Sequence, residues 1–355
     1  MVTLRDRAVL VTGHTGFKGG WLALWLAGLG ARVHGYALDP PTKPSLFEVA
    51  GVGDVLASDT RADLRDLAAL TKSLKEVDPE VVFHLAAQPL VSEGYRDPLG
   101  TIATNVVGTA NVLEAVRTTP SVRAVVVVAT DKVYENRETG HAFSESDPLG
   151  GHDPYSASKA ATEIIVESYR SSFFGPDAHP ARIASARAGN VIGGGDWADH
   201  RLVPDCLRAF ADGEPVHLRR PDAVRPWQHV LAPLAGYLAL ADHLLGDGGE
   251  TFARAWNFGP DDGDYQTVRE VADRVAALWG SSATVINDAE PPWDEADLLR
   301  LDSTRARAEL GWRPRWSLAE TIEQTVSWHR AWLRGDDMSA LSAAQIAAHG
   351  GRTDR

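Results

Sequence analysis

Three glycines at a regular spacing, Gly13, Gly16 and Gly19, follow the apolar run 8–12. Such a run is typical of a buried strand, and the apolar residues after the glycines recur at helical spacing until Gly30. A strand, a glycine turn and a helix in this order are typical of a dinucleotide-binding unit. Phosphate can approach a glycine backbone closely, and the free N–H groups of a helix start favour an anion. We predict a dinucleotide site here rather than a turn needed only for packing.

The first half of the chain alternates strand-like and helical stretches. Strands are predicted at 8–12, 32–38, 54–57, 81–85 and 124–129, and helices at 19–29, 63–77 and 98–117. Continuous apolar strands separated by helices indicate a parallel sheet that is covered on both faces. Right-handed crossovers then give an α/β, Rossmann-like, doubly wound fold.

The pattern loosens after about residue 189, where loops rich in glycine and proline separate shorter elements. We predict an NAD-binding domain over 1–188 that includes the Tyr155 helix. A smaller α/β substrate-binding region is predicted over 189–337, with some crossings back to the sheet. The last stretch, 338–355, is small and polar, which predicts a flexible tail.

Composition excludes several classes of protein. The formal charge of −13 over 355 residues argues against a nucleic-acid or anionic-membrane surface. The single cysteine, Cys206, cannot form an internal disulfide, which indicates a reducing compartment. No apolar run is long enough to span a bilayer, and the N-terminus does not resemble a signal peptide. We expect a soluble cytoplasmic protein without a metal, because the histidines lack metal-ligand spacing.

Tyr155 and Lys159 form a second signature, since residues four apart share one face of a helix. Asp153 and Pro154 predict the start of that helix, as N-cap and first helical residue. A phenol loses its proton at about pH 10, so it needs a nearby cation to act as a base near neutrality. A cation at about 4 Å supplies roughly 4 kcal/mol at an effective dielectric of about 20. We predict that Lys159 lowers the pKa of Tyr155 enough to accept an alcohol proton.

Two acidic positions bear on the cofactor. Asp39 ends the second strand, where a carboxylate accepts hydrogen bonds from the adenosine ribose and repels a 2′-phosphate, so NAD is favoured over NADP. The alternative for Asp39 is a solvated carboxylate in a turn. Asp63 and Leu64 follow the third strand and are predicted near the adenine.

Several stretches resemble the extended short-chain dehydrogenase/reductase family. They are residues 13–22 (GHTGFKGGWL), 84–91 (HLAAQPLV), 130–134 (TDKVY), 187–197 (RAGNVIGGGDW) and 225–230 (RPWQHV). The resemblance extends to about Trp332, and within the family it is greatest to sugar-nucleotide 4,6-dehydratases. It implies bound NAD, a homodimer and a nucleotide-activated hexose as substrate, with CDP-glucose expected first. The implied cofactor contacts are Gly13, Thr15, Gly16, Phe17, Gly19, Asp39, Asp63, Leu64, Leu85, Ala86, Ala87, Tyr155 and Lys159.

The resemblance also implies a reaction in which the hexose is oxidised at C4, loses water across C5 and C6, and regains the hydride at C6. Tyr155 would take the 4-hydroxyl proton, Thr130 would hydrogen-bond the 4-oxygen, and Asp131 would protonate the departing 6-hydroxyl. Lys132 is either the base at C5 or a stabiliser of the enolate, and both roles stay open. The alternative for Asp131 and Lys132 is an exposed ion pair after the strand.

Arginine and amide side chains are the predicted substrate contacts, because the planar guanidinium fork matches diphosphate oxygens. These contacts are Gln88, Tyr95, Arg187, Asn190, Arg201, Arg219 and Arg225, with Asn190 and Arg225 foremost. Near Leu90 and Val91 the family often has an arginine followed by Ser-Tyr, whereas this chain has Ser92-Glu93-Gly94-Tyr95. That departure leaves the exact sugar and its nucleotide contacts open.

The alternatives of the same fold are a 4-epimerase, a decarboxylase or a dehydratase acting on another nucleotide. Asp131 and Lys132 argue against an epimerase, which needs no acid and base at C6 and C5. A different class, a regulator that binds NAD without chemistry, is disfavoured because Tyr155 and Lys159 are both intact.

Overall fold

A parallel sheet forms the centre of the computed structural model, which describes residues 4–175, 178–280, 283–287 and 296–350. Its seven strands are β1 (Ala8–Thr12), β2 (Arg32–Ala37), β3 (Ser58–Arg61), β4 (Val81–His84), β5 (Ala124–Val128), β6 (Arg182–Ala188) and β7 (Ala255–Phe258). They are ordered β7-β6-β5-β4-β1-β2-β3, and every neighbouring pair is parallel. The predicted doubly wound fold is confirmed.

Helices cover both faces of this sheet. They are α1 (Phe17–Gly28), α2 (Leu46–Val49), α3 (Leu67–Val77), α4 (Val91–Arg96), α5 (Pro98–Ile102), α6 (Gly108–Arg117), α7 (Pro154–Phe173), α8 (Leu202–Asp212), α9 (Leu231–Leu245), α10 (Val268–Trp279), α11 (Thr304–Glu309), α12 (Leu318–Arg334) and α13 (Met338–Gly350). Val9 and Val11 pack on the side of α1 and α9, whereas Leu10 packs on the side of α3 and α6. Burial on both faces explains why β1 is continuously apolar.

The chain after β6 builds a smaller region beside the sheet. Its core lies between α8, α10 and α12 and includes Leu207, Val271 and Ile322. Four pairs of short strands support it: 142–143 with 300–301, 191–192 with 228–229, 216–217 with 285–286, and 224–226 with 265–267. Strand β7 returns from this region to the main sheet, as a crossing of the predicted kind, while the boundary at residue 188 stays a prediction.

Two boundaries differ from the predictions. The strand predicted at 54–57 is wrong, because the apolar residues there form a 3₁₀ turn, Val52–Val55, that buries Val52 beside α1. The strand itself follows at β3, whose alternate residues are exposed at the sheet edge. The helix predicted at 98–117 is present, but it includes a π turn over Ala103–Val107.

The flexible tail predicted from residue 338 is also wrong as far as residue 350. Helix α13 packs against α1, α9 and α12 and buries Met338, Ser342, Gln345 and His349. Their spacing is helical, but three of the four are polar, so a hydrophobic pattern does not reveal the buried face. Residues 351–355 of the predicted tail lie outside the described residues.

Candidate active site

One cleft of about 810 Å³ opens where β1 to β6 end at their carboxyl edges, which is where doubly wound sheets bind ligands. It brings together most of the residues that were predicted from distant parts of the sequence. Those that line it are Gly13, Thr15, Gly16, Phe17, Gly19, Asp39, Asp63, Leu64, Leu85, Ala86, Ala87, Thr130, Asp131, Lys132, Tyr155, Lys159, Asn190, Arg201, Arg219 and Arg225.

The glycine turn has the geometry of a phosphate cradle. Gly13 has φ of +78°, and a Cβ atom there would lie 2.7 Å from the backbone nitrogen of Ala86. At Gly19 a Cβ would lie 2.1 Å from the carbonyl oxygen of Gly13, so both positions require glycine. Gly16 caps α1 without a side-chain hydrogen bond, which leaves the first N–H groups of the helix for an anion. The turn therefore fits the diphosphate of a dinucleotide.

Residues that follow β2 and β3 line the part of the cleft where the adenosine was predicted to bind. The Asp39 carboxylate is almost fully exposed to solvent and lies 3.4 Å from the guanidinium of Arg61. Asp63 instead binds Arg65 at 2.6 Å, which holds the pKa of this carboxyl below its ordinary value. Leu64 is buried at the cleft wall.

Helix α7 presents the predicted Tyr155 and Lys159 on one face. It begins as the sequence indicates, since the Asp153 carboxylate accepts a hydrogen bond of 3.0 Å from the backbone of Ser156 and Pro154 is the first helical residue. Both predicted residues are buried at the cleft. The same face continues to Glu163, one turn further along the helix.

Lys159 is not among the main causes that set the pKa of Tyr155 in this structure. Burial raises the pKa of Tyr155 to about 12, and the groups that oppose the rise are the hydroxyl of Thr130 and the cation of Arg201. The Lys159 ammonium donates a hydrogen bond of 2.8 Å to the carbonyl of Val128. Burial lowers the pKa of Lys159 to about 8. That Lys159 lowers the pKa of Tyr155 stays a prediction.

Thr130 and Asp131 lie where β5 ends, beside the phenol. The Thr130 hydroxyl donates a hydrogen bond of 2.9 Å to Oδ1 of Asp131, and it opposes the rise in the pKa of Tyr155. Asp131 is buried, and its Oδ2 has no hydrogen-bond partner among the described residues. Burial raises the pKa of Asp131, which favours a carboxylic acid that can give up a proton. Lys132 is half-buried beside it and lines the same cleft, so the alternative of an exposed ion pair is wrong.

Four of the predicted substrate residues line the other end of the cleft. Arg201 forms an ion pair of 2.9 Å with Asp196, and Arg219 contacts the backbone carbonyl of His200 at 3.2 Å. Arg225 is buried and donates to the carbonyl of Asp297 at 3.0 Å. Asn190 completes this end of the cleft. Arginines concentrated there supply positive charge in a protein whose formal charge is negative.

Arg187 is not part of the cleft, which corrects the prediction that it binds the substrate. Its guanidinium is buried in a two-bond contact with Glu163, with both N–O distances 2.9 Å, and it also donates to the Tyr134 hydroxyl at 2.9 Å. A buried charge without its partner is strongly destabilising, so the role of Arg187 is to compensate the charge of Glu163 inside the protein.

Gln88 and Tyr95 are likewise outside the cleft lining. The Gln88 amide donates to Thr101 at 2.9 Å and its oxygen accepts from the backbone of Leu90 at 2.6 Å, so the side chain is engaged in supporting its own loop. Tyr95 lies on α4 with 45% of its surface exposed. The structure therefore gives no support for direct substrate contacts at these two positions.

Lys18 is a site residue that the sequence analysis missed, and His14 is a buried residue of the same turn that it also did not single out. Lys18 lines the cleft within the glycine turn. His14 is buried, its Nε2 lies 2.8 Å from Asp59, and a Cβ at Gly35 would lie 2.6 Å from its ring. The available signal was the polar character of both residues in a turn whose neighbours are small or apolar.

Within 4–175, 178–280, 283–287 and 296–350, no group of three or more potential ligand side chains could hold a metal ion. No helix in that part of the chain is long and apolar enough to cross a membrane.

The chain matches the model of a known protein family over most of its length. The model of the NAD dependent epimerase/dehydratase family matches residues 9–253. The chain belongs to this family. The predicted membership in the extended short-chain dehydrogenase/reductase group is thereby confirmed, and so is its Rossmann-like fold.

Individual members of the family are similar over nearly the whole chain. A CDP-glucose 4,6-dehydratase of Salmonella typhimurium is 48% identical over 354 residues, covering 99% of this chain and 98% of the relative. A dTDP-glucose 4,6-dehydratase of Xanthomonas campestris pv. campestris is 29% identical, covering 92% and 95%. The solved UDP-glucose 4-epimerase of Thermus thermophilus, in complex with NAD, has a TM-score of 0.77 and 28% identity, covering 91% and 98%.

Proposed function

We propose that this protein dehydrates CDP-D-glucose to CDP-4-dehydro-6-deoxy-D-glucose with NAD as a recycled cofactor. The observation that carries the proposal is that Tyr155, Thr130 and Asp131 line the same cleft as the dinucleotide turn. Thr130 is hydrogen-bonded to Asp131 and also affects the pKa of Tyr155. The 48% identity to a CDP-glucose 4,6-dehydratase supports the choice of substrate. Glycines 13 and 19 and the uncapped start of α1 would hold the cofactor diphosphate.

NAD, when bound, would supply an acceptor for the hydride of C4 of the hexose and, once reduced, a hydride donor for C6. Tyr155 takes the proton of the 4-hydroxyl, with Thr130 hydrogen-bonded to the 4-oxygen. The cation of Arg201 favours the phenolate that this step needs. The resulting C4 ketone acidifies the C5 proton, which makes elimination of the 6-hydroxyl possible.

Asp131 then acts as the acid for the departing 6-hydroxyl. Burial raises the pKa of its carboxyl, which favours the protonated form that this step needs. Lys132 either removes the C5 proton or stabilises the enolate electrostatically. At the end of the reaction C5 regains a proton and C6 receives the hydride, so water is the only group lost from the sugar.

A 4-epimerase of the same family is the second candidate, because a solved UDP-glucose 4-epimerase shares the fold. Oxidation at C4 alone would not need a buried acid next to the phenol. The Asp131 carboxyl, which has an unpartnered oxygen among the described residues, favours the dehydratase.

The test is a panel of CDP-, dTDP-, GDP- and UDP-hexoses, with product mass and sugar configuration as the measurement. We expect loss of water from CDP-glucose and much slower reaction of the other nucleotides. Tyr155→Phe is expected to reduce turnover by at least about 100-fold while NAD binding is nearly unchanged. Epimerised sugar without loss of water, or full activity of Tyr155→Phe, would overturn the proposal.

We also propose a cytoplasmic homodimer. Apolar side chains are exposed on neighbouring helices, with 78% of Leu99 on α5 and 59% of Ile164 on α7 accessible to solvent. Helices α5 and α7 are in contact, so these side chains contribute to one side of the sheet domain. Light scattering of Ile164→Glu is expected to give a monomer where the wild type gives a dimer, whereas a wild-type monomer would contradict the assignment.

A further inference from the structure

Aspartates line several parts of a cleft that must also hold anionic diphosphates. Among the described residues they are, in chain order, Asp39, Asp63, Asp131, Asp196, Asp199 and Asp205. The first two follow β2 and β3, the third lies beside the phenol, the fourth binds Arg201 at 2.9 Å, and 72% of the fifth side chain is exposed. Asp205 is only 32% exposed and lies among the arginines. A carboxylate there is unfavourable for a diphosphate, which indicates that a different part of the ligand is its partner.

Asp205 lies one helical turn beyond Arg201, at the start of α8. Its backbone N–H donates a hydrogen bond of 2.9 Å to the carbonyl of Arg201. Arg201 is close enough to Tyr155 for each to affect the pKa of the other. A hexose that reacts at Tyr155 therefore places its diphosphate near Arg201 and its nucleoside farther along, because the diphosphate joins the two. Asp205 consequently lies at the nucleoside end of the cleft.

The surroundings of Asp205 fit a flat heterocycle. Val216, Leu218 and Trp227 line the cleft and pack in one hydrophobic cluster with the apolar side of α8. The guanidinium of Arg219 also lines the cleft and lies 3.9 Å from Oδ2 of Asp205. An apolar wall with an acceptor and a donor beside it matches a pyrimidine, whose faces are apolar and whose edge forms hydrogen bonds.

The pyrimidine bases differ in what they present at position 4. Cytosine has an amino group there, which donates, beside the acceptor N3. Uracil and thymine have an oxo group there, which accepts, beside an N3–H donor. An ionised carboxylate only accepts hydrogen bonds and a guanidinium only donates them. Asp205 therefore matches the amino group of cytosine, and Arg219 matches its N3 or its 2-oxo group.

We propose that Asp205 selects the base of the nucleotide sugar: its carboxylate accepts a hydrogen bond from the 4-amino group of cytosine and repels the 4-oxo group of uracil and thymine. The inference rests on the proposed function, in which a nucleotide-activated hexose occupies the cleft. It adds the residue that distinguishes CDP-glucose from its UDP and dTDP counterparts.

The carboxylate of Asp205 is held in place and partly removed from water. Arg208, on the same helix, donates a hydrogen bond of 2.8 Å to Oδ1 of Asp205. Burial raises the pKa of Asp205 and Asp199 adds to this rise, whereas Arg208, Arg219 and His200 oppose it. A fixed charge that is partly desolvated acts more strongly on a neighbouring dipole than the same charge in water, which sharpens the selection.

Calorimetry of the NAD-loaded protein with CDP, UDP and dTDP tests the proposal, since these ligands carry no sugar to react. The wild type is expected to bind CDP at least about tenfold more tightly than UDP or dTDP. Asp205→Asn replaces the carboxylate by an amide that can also donate, and it should reduce this preference by about tenfold. Asp212→Asn is the same change at the exposed end of α8 and should leave all three dissociation constants unchanged.

A change of ligand gives a test that does not depend on the folding of a variant. The 5′-diphosphate of pyrimidin-2-one riboside has the cytosine ring without its amino group. The wild type should bind it about tenfold more weakly than CDP, because the carboxylate loses its hydrogen-bond donor. Equal affinities for the two diphosphates would overturn the inference.

Three results with the base panel would also overturn it. Equal weakening of all three ligands in Asp205→Asn would identify Asp205 as a support for the arginines that hold the diphosphate. An unchanged preference in Asp205→Asn, or a wild type without a preference for CDP, would contradict base selection directly. Failure of the proposed function is distinguishable, because it would appear as CDP-glucose that loses no water while the CDP preference and its loss in Asp205→Asn are observed.

Discussion

The hydroxyl of Thr130 donates a hydrogen bond of 2.9 Å to the buried carboxyl of Asp131. The same hydroxyl opposes the rise in the pKa of the Tyr155 phenol, so it acts on the residue that takes a proton and on the residue that gives one. This connection depends on the turn Asp131–Val133 at the end of β5, where Thr130 is the N-cap.

Loss of the Thr130 hydroxyl should separate these two groups. We expect Thr130→Val to reduce turnover by about 100-fold, while the affinity for NAD stays within about twofold of the wild type. Thr130→Ser retains the hydroxyl and should recover most of the activity. Steady-state kinetics and calorimetry measure both effects, and wild-type turnover of the valine variant would rule out this role of the threonine.

Replacement of Lys132 distinguishes its two possible roles. If its amine is the base, Lys132→Met still oxidises C4 but no longer exchanges the C5 proton with solvent deuterium, as followed by nuclear magnetic resonance. The matched variant Asp131→Asn should show the opposite behaviour, with C5 exchange retained and water loss blocked. Persistent exchange in Lys132→Met would assign the lysine to electrostatic stabilisation instead.

The buried pair of Glu163 and Arg187 is predicted to stabilise the fold. Burial opposes the carboxylate form of Glu163, but Arg187 and Ser185 more than offset it, so the pKa of Glu163 is lowered. Glu163→Gln leaves a buried guanidinium uncompensated and should lower the free energy of unfolding by about 3–5 kcal/mol. The control is Glu76→Gln, which removes an exposed pair of 3.7 Å with Lys72 and should cost less than about 1 kcal/mol. Equal effects in urea unfolding would contradict the assignment.

Burial of His349 should make the fold sensitive to acid. Burial, with a contribution from Arg315, lowers the pKa of this imidazole to about 3, and its nitrogens have no hydrogen-bond partner among the described residues. A depressed pKa stabilises the fold above about pH 6.5, and this stability is lost as the pH falls towards the folded value. His349→Leu should therefore reduce the loss of unfolding free energy between about pH 7 and pH 5 by about 2 kcal/mol. A matched change of the exposed His152 to leucine should leave the pH dependence intact, and no difference between the two variants would refute the prediction.

The sequence predicts best where local pattern and chemistry agree. The strand Ala8–Thr12, the glycine turn and the start of α7 at Asp153 and Pro154 follow from apolar runs and caps that act within a few residues. The sequence predicts less well where tertiary contacts determine which residues are buried. Helix α13 escapes a hydrophobic pattern because its buried face is largely polar.

The site shows the same division. Motif residues that end strands meet in the cleft because parallel strands place their carboxyl ends at one edge. Arg187 also ends a strand, but its side chain points to Glu163 in the core, and nothing in the spacing distinguishes it from Asn190. The high pKa of Tyr155 and the contact of Lys159 with Val128 depend on burial that only the folded chain provides.

The fate of one hydrogen tests the proposed reaction most directly. CDP-glucose that carries deuterium at C4 should give a 4-keto-6-deoxy sugar with deuterium at C6, without net consumption of NAD. Mass spectrometry and nuclear magnetic resonance locate the label. Deuterium that accumulates in released cofactor, or a product that keeps it at C4, would contradict an internal return of the hydride in the cleft of Tyr155 and Asp131.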